Sequence, residues 1–294
     1  AYGIMQMHNK GNLRGWQWIF ILEGIPTVIL AIISYFYLPN FPSTVTWLNE
    51  NERQLLIQRV KDDAGPATET NFSWKQVKSA FTDYLVYLYA LMFIGICVPI
   101  YCIALFLPTI INGMGYTKLT AQGLSACPYL MASLFVILMG LHSTKTMERG
   151  LHTSFGALIS ITGFTLLLTL VKYGSLACYF ASYITCIGVF SSMPPLLSWF
   201  TNNIGGHTKR GVAIAVIISF GNLGGAISGQ IYRANDRPYY YRGHLISLGF
   251  SCLLFVLALL TKWLLIRENS RRENLTQEQY EIKCSQSELA DWVK

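Results

Sequence analysis

The 294 residues are 52% hydrophobic and 14% aromatic but only 13% charged, with a mean hydropathy of +0.39. A soluble domain carries about 25% charged residues, and apolar runs of about 20 residues recur along this chain, which makes a bilayer its solvent. The net charge of +7 does not signify nucleic-acid binding, because the basic residues lie in loops between apolar runs and build no basic–aromatic surface.

The first apolar run, 16–38, includes "IFILEGIPTVILAIISYFYL" and holds Glu23 among apolar neighbours. A carboxylate at membrane depth costs roughly 2.5–3.5 kcal/mol on insertion scales, so Glu23 needs a role. On a helix Glu23, Thr27, Ala31 and Ser34 fall within about 80° of one another, a narrow polar stripe suited to other helices or water rather than lipid. Glu23 is then either a structural carboxylate held by a neighbouring helix or a proton-coupling one.

The one long loop follows, 39–82. Within it "NENERQLLIQRV" reads as a polar helix, with Asn49 as N-cap and Glu52 completing a capping box. Six further spans are expected at 84–108, 121–141, 151–171, 176–200, 212–232 and 243–266. Backbone groups cannot stay unpaired in lipid, so each is a helix. A polar tail, 267–294, closes the chain.

Several positions in these spans suggest chemistry. "VPIYCIALFLPTI" sets Tyr101 between two prolines, and Tyr129 follows Pro128 in the next span. An aromatic ring with one hydroxyl facing a cavity binds small organic acids by stacking and hydrogen bonding, although packing in the membrane core uses the same residues. "GVFSSMPPLLSWF" puts Pro194 and Pro195 one turn after Ser191 and Ser192 and shortly before Trp199. Paired prolines free carbonyls and kink a helix, and interrupted helices lined with hydroxyls mark midplane binding sites in transporters. "SFGNLGGAISGQIY" spaces Gly221, Gly225 and Gly229 four apart for close helix packing, with Asn222 beside them. The short loops "HSTKTMERG" and "NNIGGHTKRG" carry Lys145, Arg149, Lys209 and Arg210, either as solvated charges or as gating residues. Six of the seven cysteines fall inside apolar spans and read as small buried side chains. No cysteine or histidine spacing fits a metal site, and no nucleophile–base pair suggests an enzyme.

Orientation follows from Lys and Arg. With the long loop in the cytoplasm, fourteen basic residues lie inside and seven outside, with Lys262 within the last span; this favours an outside start and an inside tail. Sequons at Asn71 and Asn274 then lie on the cytoplasmic side and carry no glycan. Seven spans with a long loop after the first suggest the end of one bundle (1–38), a linker (39–82), a complete six-helix bundle (83–266) and a tail.

Taken together, "GWQWIFILEGIPTVILA", "WLNENER", "LFLPTIINGMGYTKLTAQGLSACPYLMA", "WFTNNIGGHTKR" and "ISFGNLGGAISGQIYRANDRPYYYRGH" resemble the fungal allantoate permease family of anion:cation symporters, within the major facilitator superfamily. Part of this wording is similar to the nicotinate-permease branch. The resemblance implies an all-α membrane protein of the major facilitator type, with these spans as the sixth to twelfth of twelve. It implies proton-coupled uptake of a small carboxylate such as allantoate, ureidosuccinate or nicotinate, with the proton as coupling ion and no other cofactor. The partner would be an amino-terminal half beyond this chain, and the membrane the plasma membrane. Tyr101, Tyr129, Ser191, Ser192, Trp199 and Asn222 become the substrate-facing set and Glu23 the coupling candidate. Two departures stand out: Ser143-Thr144-Lys145 where the family has Ser-Asp and a basic residue, and Cys127 where it has Pro or a small residue. The rival reading is a truncated membrane fragment that associates with other subunits and does not transport by itself.

Overall fold

A computed structural model describes residues 2–5, 7, 9–38, 45, 47–64 and 72–274. The sequon at Asn71 and most of the tail, from residue 275 on, lie outside the described residues. The described chain is helical, and seven of its helices are long and apolar enough to cross a membrane. It divides into two compact units, 1–68 and 69–294.

In the first unit α1 (Tyr2–Met5) precedes α2 (Gly15–Tyr37) and α3 (Glu50–Ala64). Gln17 Oε1 accepts from the Arg14 backbone N–H at 2.7 Å, tying off the start of α2. Pro26 sits inside α2 without ending it. The α3 cap forms where its sequence signature lies, Glu52 Oε2 accepting from the Asn49 backbone N–H at 3.0 Å.

The second unit opens with the amphipathic α4 (Trp74–Thr82), followed by α5 (Tyr84–Gly113), α6 (Lys118–Leu124), α7 (Ala126–Thr146) and α8 (Gly150–Thr169). Then come α9 (Ser175–Ser191), α10 (Met193–Asn203), α11 (His207–Ser228) and α12 (Tyr241–Glu273). Asp83 caps α5, its side chain accepting from the Leu85 N–H at 2.9 Å; Thr117 caps α6. The span expected at 176–200 breaks at Ser192, with Pro194 and Pro195 in the first turn of α10, where a missing N–H costs no helical bond.

Packing runs α11 on α5, α5 on α12, α12 on α8, α8 on α9 and α9 on α7. α5 is the most buried span and α7 nearly the least, so α5 forms the spine. Tyr89 with Trp199 and Phe93 with Phe200 stand edge to face in the core, and Tyr89 tilts against Phe200, geometry that adds to the burial of aromatic area. Several close contacts require glycine, two of them central to the packing. A Cβ on Gly188 would overlap the Ser160 backbone, and one on Gly221 would overlap the Phe93 ring.

Two helices outrun their apolar sequence. α11 begins at His207 rather than at the first apolar residues, because Gln76 Oε1 accepts from the backbone N–H groups of Thr208 and Lys209 at 3.0 and 3.2 Å. Those are otherwise unsatisfied donors of a helix start. α12 continues to Glu273, where Glu268 pairs with Arg271 and Arg272 one turn on and Arg side chains suit a helix C-terminus. The polar tail from 267, expected as a short helix or as disordered, begins as helix through Glu273.

Candidate functional site

An exposed face of the second unit joins α5 and α11. The Tyr101 hydroxyl donates to Asn222 Oδ1 at 3.1 Å. The Tyr101 ring lies where a Cβ on Gly225 would be 3.4 Å away. A larger residue at 225 would displace that ring, so the glycine sets the approach of the tyrosine. Gly211, Ala215, Ser219, Asn222, Ala226 and Gly229 follow one another along the exposed side of α11. Small side chains on an exposed helical face let a second helix come close.

This stripe revises the role expected of the glycines. Residues four apart on a 3.6-residue helix rotate by about 40° per step, so Gly221, Gly225 and Gly229 do not share one contact. Gly221 is buried against Phe93 and Cys97, Gly225 touches Tyr101, and Gly229 meets only its own helix. The third close contact to α5 comes from Gly224, against Val98 and Cys97.

The other substrate-facing candidates lie elsewhere. Ser191 and Ser192 are buried, both hydroxyls donating to the Gly188 carbonyl at 3.5 and 2.8 Å, and Ser192 packs against Gly156 of α8. Trp199 is buried in the aromatic core beside Tyr89. The two serines therefore serve the bundle interior, the proline break turning their hydroxyls inward toward α8, and Trp199 edges a cavity at the charged end rather than the face that holds Tyr101. Tyr129 is half-buried, donates to the Ile103 carbonyl at 3.0 Å and stands edge-on to Phe190. In the first unit Glu23 is exposed on α2 and its carbonyl accepts from the Thr27 hydroxyl at 3.1 Å. The polar stripe is thus partly spent on its own backbone.

One end of the second unit gathers the charges. Lys209 Nζ meets Asp83 Oδ2 at 2.8 Å, with both side chains largely buried, so the N-terminus of α11 is bound to the N-cap of α5. Arg210 Nε donates to the Ile204 carbonyl at 2.8 Å. Both guanidinium Nη atoms of Arg149 donate to the Asn202 amide oxygen at 2.9 Å. Burial lowers the Arg149 guanidinium from its ordinary range. Lys145 is exposed. Glu148 pairs with Lys262, at 3.0 Å. The Ser143 hydroxyl donates to the Glu148 carbonyl at 3.1 Å. Partial burial would raise the Glu148 carboxyl, but the bond from Lys262, the Leu151 N–H and the Lys262 charge outweigh it and hold it below the usual carboxylate range. Among the described residues no group of three or more His, Cys, Asp or Glu side chains is placed to hold a metal.

A family model for the Major Facilitator Superfamily matches residues 11–229. The chain belongs to that superfamily. It is 34% identical over 93% of its length to an uncharacterized transporter of Schizosaccharomyces pombe, covering 54% of that protein. It is 33% identical over 88% of its length to an MFS transporter of a fungal species, covering 52% of it. A high-affinity nicotinic acid transporter of Saccharomyces cerevisiae is 28% identical over 93% of this chain, with 50% of its own length covered. The chain thus spans about half the length of the curated relatives it matches, and those relatives are transporters, not enzymes. In a member of this superfamily the seven long apolar helices are membrane-spanning segments.

Sequence reasoning missed Asp83, Gln76, Glu148 and Asn202. Asp83 carried a legible signal, a helix-capping residue directly before an apolar run. Gln76 and Asn202 carried none, since their partners lie 132 positions and a separate helix away. His244, buried on α12 with Nδ1 3.0 Å from the Tyr232 hydroxyl, was likewise silent.

Proposed function

We propose that this chain forms the sixth to twelfth helices of a twelve-helix, proton-coupled importer of small organic anions, related to the allantoate permeases. The face bearing Tyr101 and Asn222 is then its share of the central substrate path. The observation that carries this is the Tyr101–Asn222 pair, a phenol and an amide set together on an exposed, small-residue helical face of a membrane bundle. A site between two halves, reached alternately from each side, needs such a face on each half. A phenol and an amide suit a small planar or amide-bearing acid such as nicotinate, allantoate or ureidosuccinate, and the name of the Saccharomyces cerevisiae relative supports the first of these. The orientation follows the basic-residue count, with the charged end in the cytoplasm.

The test is uptake by the full-length protein in a transport-deficient yeast, competed by acids, their neutral amides and sugars. The acids should compete and external acid should stimulate uptake. Equal competition by the neutral amides, or uptake indifferent to pH, overturns the proposal. Glu23 is the coupling candidate: Glu23→Gln should leave substrate binding in place and remove the dependence on the pH gradient. A Gln variant with ordinary pH-driven uptake removes Glu23 from that role.

A further inference from the structure

The charged end of the second unit encloses a cavity of about 500 Å³ between the start of α5, the α7–α8 turn, α10 and the end of α12. Arg149, Lys262, Arg271 and Arg272 line it, together with Glu148, Glu268 and Asp83. Asp83 is engaged by Lys209, Glu148 by Lys262, and the single carboxylate of Glu268 by both Arg271 and Arg272. Arg149, half-buried, is met among the described residues by a neutral amide. With Asp83 paired to Lys209 outside the cavity, Arg149 is the lining cation that, among the described residues, meets no carboxylate. A phosphomonoester carries about −1.5 to −2 at neutral pH and offers several strong acceptor oxygens.

The position of the cavity argues for a lipid as the source of that phosphate. Ile266 lines it and is itself exposed. One turn earlier Trp263 is exposed, with the Arg267 guanidinium over its ring at 5.7 Å. Trp and Arg in this arrangement belong to the level where acyl chains meet headgroups, and basic pockets at the cytoplasmic ends of membrane helices suit phosphorylated headgroups.

We propose that this cavity binds the phosphomonoester headgroup of an anionic lipid of the cytoplasmic leaflet, with Arg149 as its central contact. The proposal uses the membrane orientation given above but not the transported substrate, and binding is measured without transport, so the two can fail separately. The experiment places the full-length protein in phosphatidylcholine nanodiscs doped with a phosphatidylinositol phosphate, or with phosphatidylserine at matched total charge. Retained lipid is counted by native mass spectrometry, with soluble inositol phosphate as competitor. The phosphoinositide should be retained over phosphatidylserine. Arg149→Ala and Arg272→Gln should each weaken retention about tenfold, the scale of one charge-assisted bond. Lys78→Ala, an equal loss of charge at the exposed face of α4, should not. Should Arg149→Ala fail to fold, Arg272→Gln carries the comparison. Equal retention of phosphatidylserine, unchanged retention in the folded cavity variants, or soluble inositol phosphate binding as tightly as the lipid would each overturn the proposal.

Discussion

Lys209 and Asp83 stand 2.8 Å apart, 9% and 14% exposed, and join the first turn of α11 to the N-cap of α5. The charge that opens one core helix thus neutralises the carboxylate that caps another. Both charges are shielded from water, so their worth lies less in attraction than in the cost of leaving either alone.

Asp83→Asn or Lys209→Met should therefore lower stability, by about 3–5 kcal/mol if the burial were complete and by somewhat less here. The paired change Asp83→Asn with Lys209→Met, which keeps a capping oxygen at 83, should recover part of the loss. Thermal unfolding in detergent, run as a double-mutant cycle, reads this directly; additive losses would show that the pair is not a unit.

Tyr101→Phe keeps the ring beside Gly225 and removes the hydroxyl that Asn222 receives. The face is open, so stability should hardly change. Substrate affinity in the full-length protein should fall up to about tenfold, the scale of one lost hydrogen bond of 0.5–1.5 kcal/mol. Competition binding of a radiolabelled acid checks it, and undiminished affinity would remove Tyr101 from the substrate path.

Gly221→Ala drives a methyl into the Phe93 ring, whereas Gly229 has no neighbour beyond its own helix. The first change should cost about 1–3 kcal/mol through overpacking and the second should be near neutral for the folded bundle. Melting temperatures of the two variants, side by side, distinguish a buried contact from a uniform glycine stripe.

The Glu148–Lys262 pair adds a pH dependence. Its carboxyl is held below the usual range, so its contribution is complete above the unfolded value of about 4.3 and is lost as pH falls through the lower folded value. With Glu148 39% exposed in this pair, solvent screening keeps the effect small. Wild type should be slightly more stable than Glu148→Gln at neutral pH, and the gap should close only in strong acid. A gap that closed between pH 7 and 5 would contradict the pairing.

The sequence by itself determined the solvent, the helical class and the number of spans. Uninterrupted apolar length and the ban on unpaired backbone in lipid are local properties. The α3 cap at Asn49 and Glu52 and the break at Pro194 and Pro195 were legible for the same reason, since each involves residues within one turn. Which side of a helix faces which neighbour was not legible, because in an apolar span almost every residue is acceptable on every side. Ser191 and Ser192 looked suited to a cavity, and packing against α8 turned them inward, while Trp199 packs in the aromatic core and edges the cavity at the charged end. Only Tyr101 and Asn222, 121 positions apart, were brought together on an open face. Asp83 with Lys209, Gln76 with the start of α11, and Arg149 with Asn202 are likewise tertiary decisions. Each joins charges or amides on separate elements, and only the close approach of α5 and α11, set by Gly221 and Gly224, and of the turns around them made those pairs.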